Sequence, residues 1–342
     1  MMPSSSRRFL AAAGTADFVG AAGCIALRGR RPDVDSATGL TQDTSHALED
    51  ETVYLAGEGS DLPTPSTTTE SLDDATAVLA TATAEQEQLE QGFRAGKPVA
   101  IAGNGATAAL RRLLDSARPD YTAGLEMMRA RPVSLIVADP RGDTVETYTF
   151  VAEGGWDDPI LGPFGWALVG RIPECDTFVP ESSMDDLFEY AGATHLVGRL
   201  PTGEAYVSRS EASISQKDAG RFVRLQMKLH ATANDGYGIE QAVRESDLPD
   251  DQHLDDVYPN PHTQNGVQIA NHSDTTRSTF AIKITPDSSR ARSALTGCGG
   301  FRTEGTLAYD FRTSVRWKRE GFLDSDRRYG NATGRGEWSL NV

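Results

Sequence analysis

Gly103-Asn104-Gly105-Ala106-Thr107-Ala108 has the order G-x-G-x-x-A, between an apolar run and a helical segment. In that context a glycine turn frees backbone amides, and the helix N-terminus behind it can hold a pyrophosphate. Such a site also needs an acid closing the next strand about 20 residues on. The first strand-closing acid here is Asp139, 34 residues beyond Gly105. A tight structural turn is therefore the first reading. Gly103, Asn104 and Gly105 remain a weak cofactor-binding candidate, and no cofactor is expected.

Asp247, Asp250, Asp251, His253, Asp255 and Asp256 form an acidic stretch with one imidazole. Oxygen ligands at that density suit Ca²⁺ or Mg²⁺, but the spaced order of a calcium loop is missing. A hydrated surface is the plainer reading, with Asp250, Asp251, His253, Asp255 and Asp256 as the weak metal candidate. Six histidines are scattered: His46 in a polar segment, His195 in an apolar run, His230 on the polar side of a strand, and His253, His262 and His272 in loops. No HExxH, G-x-S-x-G or S-x-x-K occurs. No catalytic residue is assigned, and the chain reads as a binding protein rather than an enzyme. A nucleophile, base and orienter brought together by folding stay open.

Arg312, Arg316 and Lys318 share the polar side of one alternating segment, with Arg319, Arg327 and Arg328 close behind. Such a face suits anionic lipid headgroups, acidic surface glycans or phosphate-rich polymers, so an anionic envelope component or a protein partner is the candidate. The alternative is docking on the chain's own acidic N-terminal part, or a face merely interspersed with carboxylates. Nucleic acid is not expected, because no stacking aromatics share that side and high salt suppresses phosphate affinity.

The charge balance frames these candidates. The chain carries 33 Lys and Arg against 49 Asp and Glu, a net of -16. Only Lys97, Lys217, Lys228, Lys283 and Lys318 are lysines. Residues 271–342 reverse the sign, with 12 basic against 8 acidic residues. Acidic excess with scarce lysine fits a salt-rich setting, where molar salt shortens the Debye length to about 3 Å and mutes surface repulsion.

The elements that must position these residues fall into two groups. Thr52–Ala56, Ala75–Ala80, Pro98–Ala102 and Val133–Ala138 are short apolar runs of the buried-strand type. Ala84–Ala95 and Ala106–Ser116 carry helical patterning between them, so strand and helix alternate as in a βαβ unit. Asp139–Asp143 is a turn into Thr144–Val151, and Met184–Ala191 reads as a short helix. After residue 200 the pattern becomes strict alternation in Val223–Leu229, Phe280–Ile284 and Leu307–Trp317, the mark of antiparallel sheet. The expected organisation is an α/β domain over 51–200 with a mostly parallel sheet, and an antiparallel β-sandwich-like domain over 201–342. Residues 25–50 are polar and read as a flexible tether.

Residues 1–24 read as an export signal. Arg7 and Arg8 precede a weakly apolar run that ends in Ala21-Ala22-Gly23-Cys24, the order of a twin-arginine signal peptide. Asp17 argues against a permanent span, since an acid at mid-membrane costs about 2.5–3.5 kcal/mol. The segment resembles the twin-arginine lipoprotein signals of halophilic archaea. That resemblance implies cleavage before Cys24, a lipid on its sulfur, and anchoring on the outer face of the cytoplasmic membrane. Residues 72–115 are also similar to non-catalytic relatives of class I glutamine amidotransferases. Their strand, helix and "aGkpvai-G" strand imply a flavodoxin-like layer arrangement. Catalysing members place a cysteine at the elbow where Asn104 and Gly105 stand, so the amidotransferase chemistry is denied.

Export to an oxidising exterior makes a Cys175–Cys298 disulfide the expectation, with two buried thiols as the alternative. Asn271-His272-Ser273 and Asn331-Ala332-Thr333 are glycosylation acceptors, so Asn271 and Asn331 are candidates. The functional expectation is an anchored, extracytoplasmic binding module of the cell envelope. A transporter's solute-binding protein and an exported hydrolase or nucleotide-dependent enzyme using the Gly103 turn are the alternatives.

Overall fold

The computed structural model describes residues 45–57, 62–119, 121–124, 133–142, 144–152, 158–169, 189–199 and the strands between 205 and 341. Side chains are described within 47–57, 62–119, 133–142, 144–151, 158–168 and 192–198.

The apolar runs form the centre of one sheet. Strand β1 (Val53–Ala56) lies between β2 (Thr68–Thr69) and β3 (Ala77–Thr81), parallel to both. Helix α1 (Gln86–Arg94) carries the chain from β3 to β4 (Val99–Ala102), again parallel. Helix α2 (Ala106–Ala117) and strand β5 (Tyr121–Gly124) follow. The next strand, β6 (Leu135–Arg141), lies antiparallel to β4 and turns through a hairpin into β7 (Thr144–Ala152). Strand β8 (Glu189–Arg199) then lies parallel to β7. These seven strands, ordered β8-β7-β6-β4-β3-β1-β2, make a mixed and mostly parallel α/β sheet.

Both faces of that sheet are covered, which is why its strands read as continuous apolar runs. On one face Ala77, Leu79, Ala100, Leu135, Val137, Tyr148 and Phe150 pack with Leu48 and with Phe164, Trp166 and Ala167 of α3 (Leu161–Val169). The alternate residues Val78, Val99, Ile101, Ile136 and Ala138 are buried on the other face. There α1 approaches so closely that a Cβ on Gly92 would lie 2.9 Å from Val78 Cγ2. Helix α1 buries Leu89 and Phe93 at i, i+4, and α2 buries Ala109, Leu110, Leu113 and Leu114.

Three features differ from expectation. A 3-10 turn at Ser45–Leu48 places Leu48 in the core, so folded structure reaches into the 25–50 segment read as a tether. A single leucine in polar sequence gives no period to detect. Glu189–Ala191, expected to end a helix, begin β8, while 184–188 lie outside the described residues. Helix α3 was not expected, because LGPFGWALV is apolar all round and shows no amphipathic stripe. Among the described residues no helix is long and apolar enough to cross a membrane.

The sheet continues past β8. Strands β9 (Ala205–Lys217), β10 (Gly220–Thr232) and β15 (Arg290–Phe301) extend it antiparallel, and β12 (Asp256–Pro259) ends it, giving eleven strands. A second sheet has six strands: β13 (Val267–Asp274), β14 (Arg277–Ile284), β11 (Tyr237–Asp247), β16 (Thr306–Arg319), β17 (Arg327–Asn341) and β5. The alternating segments near 223, 280 and 307 lie on β10, β14 and β16, all paired antiparallel.

Candidate functional site

The glycine turn sits at the carboxyl edge of the parallel strands, where α/β sheets hold ligands. Gly103 and Gly105 have φ of 83° and 91°, values that L side chains rarely adopt. The reversal lets α2 begin directly at Gly105, which caps it without a side-chain hydrogen bond. Gly103 N–H donates to Ser134 C=O at 3.2 Å, tying the turn to the approach to β6. Asp139 cannot serve this turn as a ribose acid. It lies beyond the far end of the β4–β6 pairing, in which Val99 meets Ala138 and Ala102 meets Leu135. Strand β6 runs antiparallel, so its closing acid lies at the opposite edge, and the turn reads as structural.

Asp139 instead belongs to a buried polar group beneath α3. It pairs with Arg141, and Tyr148 Oη donates to Glu146 Oε2. His195 Nε2 lies 3.6 Å from the same carboxylate oxygen. The Tyr148 and His195 rings stack with centroids 4.3 Å apart, and Trp166 meets Tyr148 edge-on at 6.2 Å. The register explains the gathering: Glu146 stands opposite Asp139, and Tyr148 stands opposite His195. Burial lowers the Arg141 guanidinium, but the charges of Asp139, Tyr148 and Glu146, with the Asp139 hydrogen bond, leave it above its ordinary value. Glu146 and His195 are 0 % exposed. A group sealed this way meets no substrate, and what it can do is fix the β6-β7-β8 register.

The third constellation is the polar-residue face of β16. Arg312, Arg316 and Lys318 occupy alternate positions on it. The pairing with β17 adds two cations, because Arg335 stands directly opposite Arg312 and Arg328 opposite Lys318. Arg335 has no place in a reading along one strand; only the cross-strand register brings it in.

Other candidates are placed in part. Asp256 opens β12 opposite Cys298 of β15, whereas Asp250, Asp251, His253 and Asp255 lie outside the described residues, as do Cys175, Cys24, Arg7 and Arg8. Among the described residues no group of three or more His, Cys, Asp or Glu could hold a metal ion. Asn271 and His272 lie in β13, a strand rather than the expected loop, and Asn331 lies in β17 opposite Arg316. No protein-family model matches the chain, and no curated protein matches it.

Proposed function

We propose that the chain is a lipoprotein anchored at Cys24 on the outer face of the cytoplasmic membrane, acting as an interaction module of the cell envelope. Its α/β part is read as flavodoxin-like, and its C-terminal part as a β-sandwich-like domain presenting the contact surface. The observation that carries the binding role is the pairing of Lys318 with Arg328 across β16 and β17, in a row whose third position is Gly238 of β11. Like charges directly opposite destabilise a sheet, so their presence in an otherwise acidic chain favours a role outside folding.

Fractionation of the native host tests the anchor. The wild-type chain is expected in membranes and released by detergent, with Cys24 as its first residue. Cys24→Ser is expected in the soluble fraction. An intact Met1 on a freely soluble chain overturns the assignment.

A further inference from the structure

On the polar-residue face of β11, β16 and β17, charge sorts by row. Asp247, Asp310 and Glu337 stand directly opposite one another across the three strands. The next row on this face is Glu245, Arg312 and Arg335; then come Val243, Ser314 and Thr333, and Gln241, Arg316 and Asn331. The last row is Gly238, Lys318 and Arg328. Register shifts between Ile239 and Gln241, and beside Arg316 and Trp317, fall just before it. One end therefore holds three carboxylate positions, and the other holds three cationic ones, Arg316, Lys318 and Arg328. From residue 310 to residues 316–318 the strand rises about 20–26 Å at roughly 3.3 Å per residue.

Each end repels itself, because directly opposite Cα atoms lie only about 4.5–5.5 Å apart. The end rows themselves hold no residue of the opposite sign; Glu240 sits in the β11 bulge between the Arg316 and Lys318 rows, and Arg312 and Arg335 stand one row in from the acidic end. An anionic lipid surface or polymer would relieve the basic end and be repelled by the acidic one. A surface that relieves both must carry the same two ends in reversed order.

We propose that this face docks on the same face of a second copy of the chain. A two-fold axis lying between the two faces and perpendicular to β16 runs the two β16 strands antiparallel and sets the acidic end of each copy on the basic end of the other. Two-fold pairing makes a face meet itself, so each favourable contact is made twice. The inference rests on the reading of this face as the contact surface and names its partner. Two copies at -16 each repel at long range, but near 0.1 M salt the Debye length of about 10 Å weakens that repulsion more than contacts at the interface.

Sedimentation of the full chain carrying Cys24→Ser, so that no acyl chain drives association, tests this at 0.1 M salt. Three forms are compared: the unaltered face, an acidic face (Arg316→Glu, Lys318→Glu, Arg328→Glu) and a basic face (Asp247→Lys, Asp310→Lys, Glu337→Lys). The unaltered face is expected to dimerise, each altered face alone to be monomeric, and an equimolar mixture of the two to restore a dimer. Should a triple variant fail to fold, Arg316→Glu and Asp310→Lys replace them; each alone weakens dimerisation roughly 10-fold or more, about 1.4 kcal/mol, and mixing recovers it. A monomeric unaltered face, or a dimer indifferent to both variants, overturns the inference. A monomer that binds phosphatidylglycerol vesicles through Arg316, Lys318 and Arg328 overturns it while leaving the contact surface in place. A monomer whose vesicle binding ignores those residues removes both.

Discussion

Removing a single oxygen from Tyr148 isolates the buried polar group. Tyr148→Phe keeps the ring that stacks on His195 and meets Trp166, and deletes only the hydroxyl that donates to Glu146. A hydrogen bond to a charged group contributes about 1.5–3 kcal/mol, so a loss near 2 kcal/mol is expected. At about 2–4 °C per kcal/mol for a domain of this size, that lowers Tm by roughly 4–8 °C. Glu146→Gln replaces the carboxylate at nearly constant shape and leaves the Tyr148–His195 ring stack in place. In the Glu146→Gln background the hydroxyl meets a neutral amide, and Tyr148→Phe should then cost only about 1 kcal/mol. The coupling is therefore about 1 kcal/mol, above the ~0.3–0.5 kcal/mol scatter of independent sites. Urea titration followed by tryptophan fluorescence reads all four corners, with Trp166 against the altered ring as reporter. Additive corners, or a Tyr148→Phe protein within about 0.5 kcal/mol of wild type, would refute the placement of the hydroxyl on Glu146.

Two further perturbations test the packing around the carboxyl edge and the α1–β4 connection. Gly57→Ala and Gly103→Ala both put a side chain on positive φ, 107° and 83°, at about 1–2 kcal/mol each. The new Cβ at Gly57 would lie 2.2 Å from Thr81 Oγ1, whereas Gly103 has nothing within 4 Å. The first should cost at least about 1 kcal/mol more by denaturant titration, and equal costs would contradict the contact. Lys97 Nζ donates to the carbonyls of Leu72, Asp73 and Ala75 at 2.6, 3.0 and 2.5 Å. Lys97→Met should lose about 1.5–3 kcal/mol, and Lys97→Arg should not restore it, because a planar fork does not replace a compact ammonium. A Lys97→Arg melting curve that overlays wild type is the adverse result.

What was legible depended on whether neighbours in sequence carried the signal. Ala77–Thr81 and Val99–Ala102 read as strands because both their faces are apolar. Asp139-Pro140-Arg141-Gly142-Asp143 announced a reversal, which comes only after Arg141: Asp139, Pro140 and Arg141 still pair with β7 as part of β6. The polar group beneath α3 was not legible. Alternation in Thr144–Val151 marks Glu146 and Tyr148 as one side of the strand, and only α3, itself without a stripe, makes that side buried. Likewise Asp139 closes a strand, but no local feature says that β6 runs against β4 and sends its acid to the far edge.

The change of pattern near residue 200 has a physical meaning of its own. Strands β3 and β4 are covered on two faces and read as apolar runs, as at Val78–Ala80. Segments of β10, β14 and β16 alternate, the pattern expected of strands covered on one face. Yet β8 and β9 are adjacent antiparallel partners, from Arg199 opposite Ala205 to Glu189 opposite Ile214. The shift in composition therefore falls at no break in the backbone hydrogen bonding. Strand β5 makes the same point from the other direction: it comes from within the α/β part and pairs with β17, Tyr121 opposite Leu340. The pattern of apolar residues reports what lies against a strand, and the strand's hydrogen-bonded neighbour is a separate fact that only the pairing supplies.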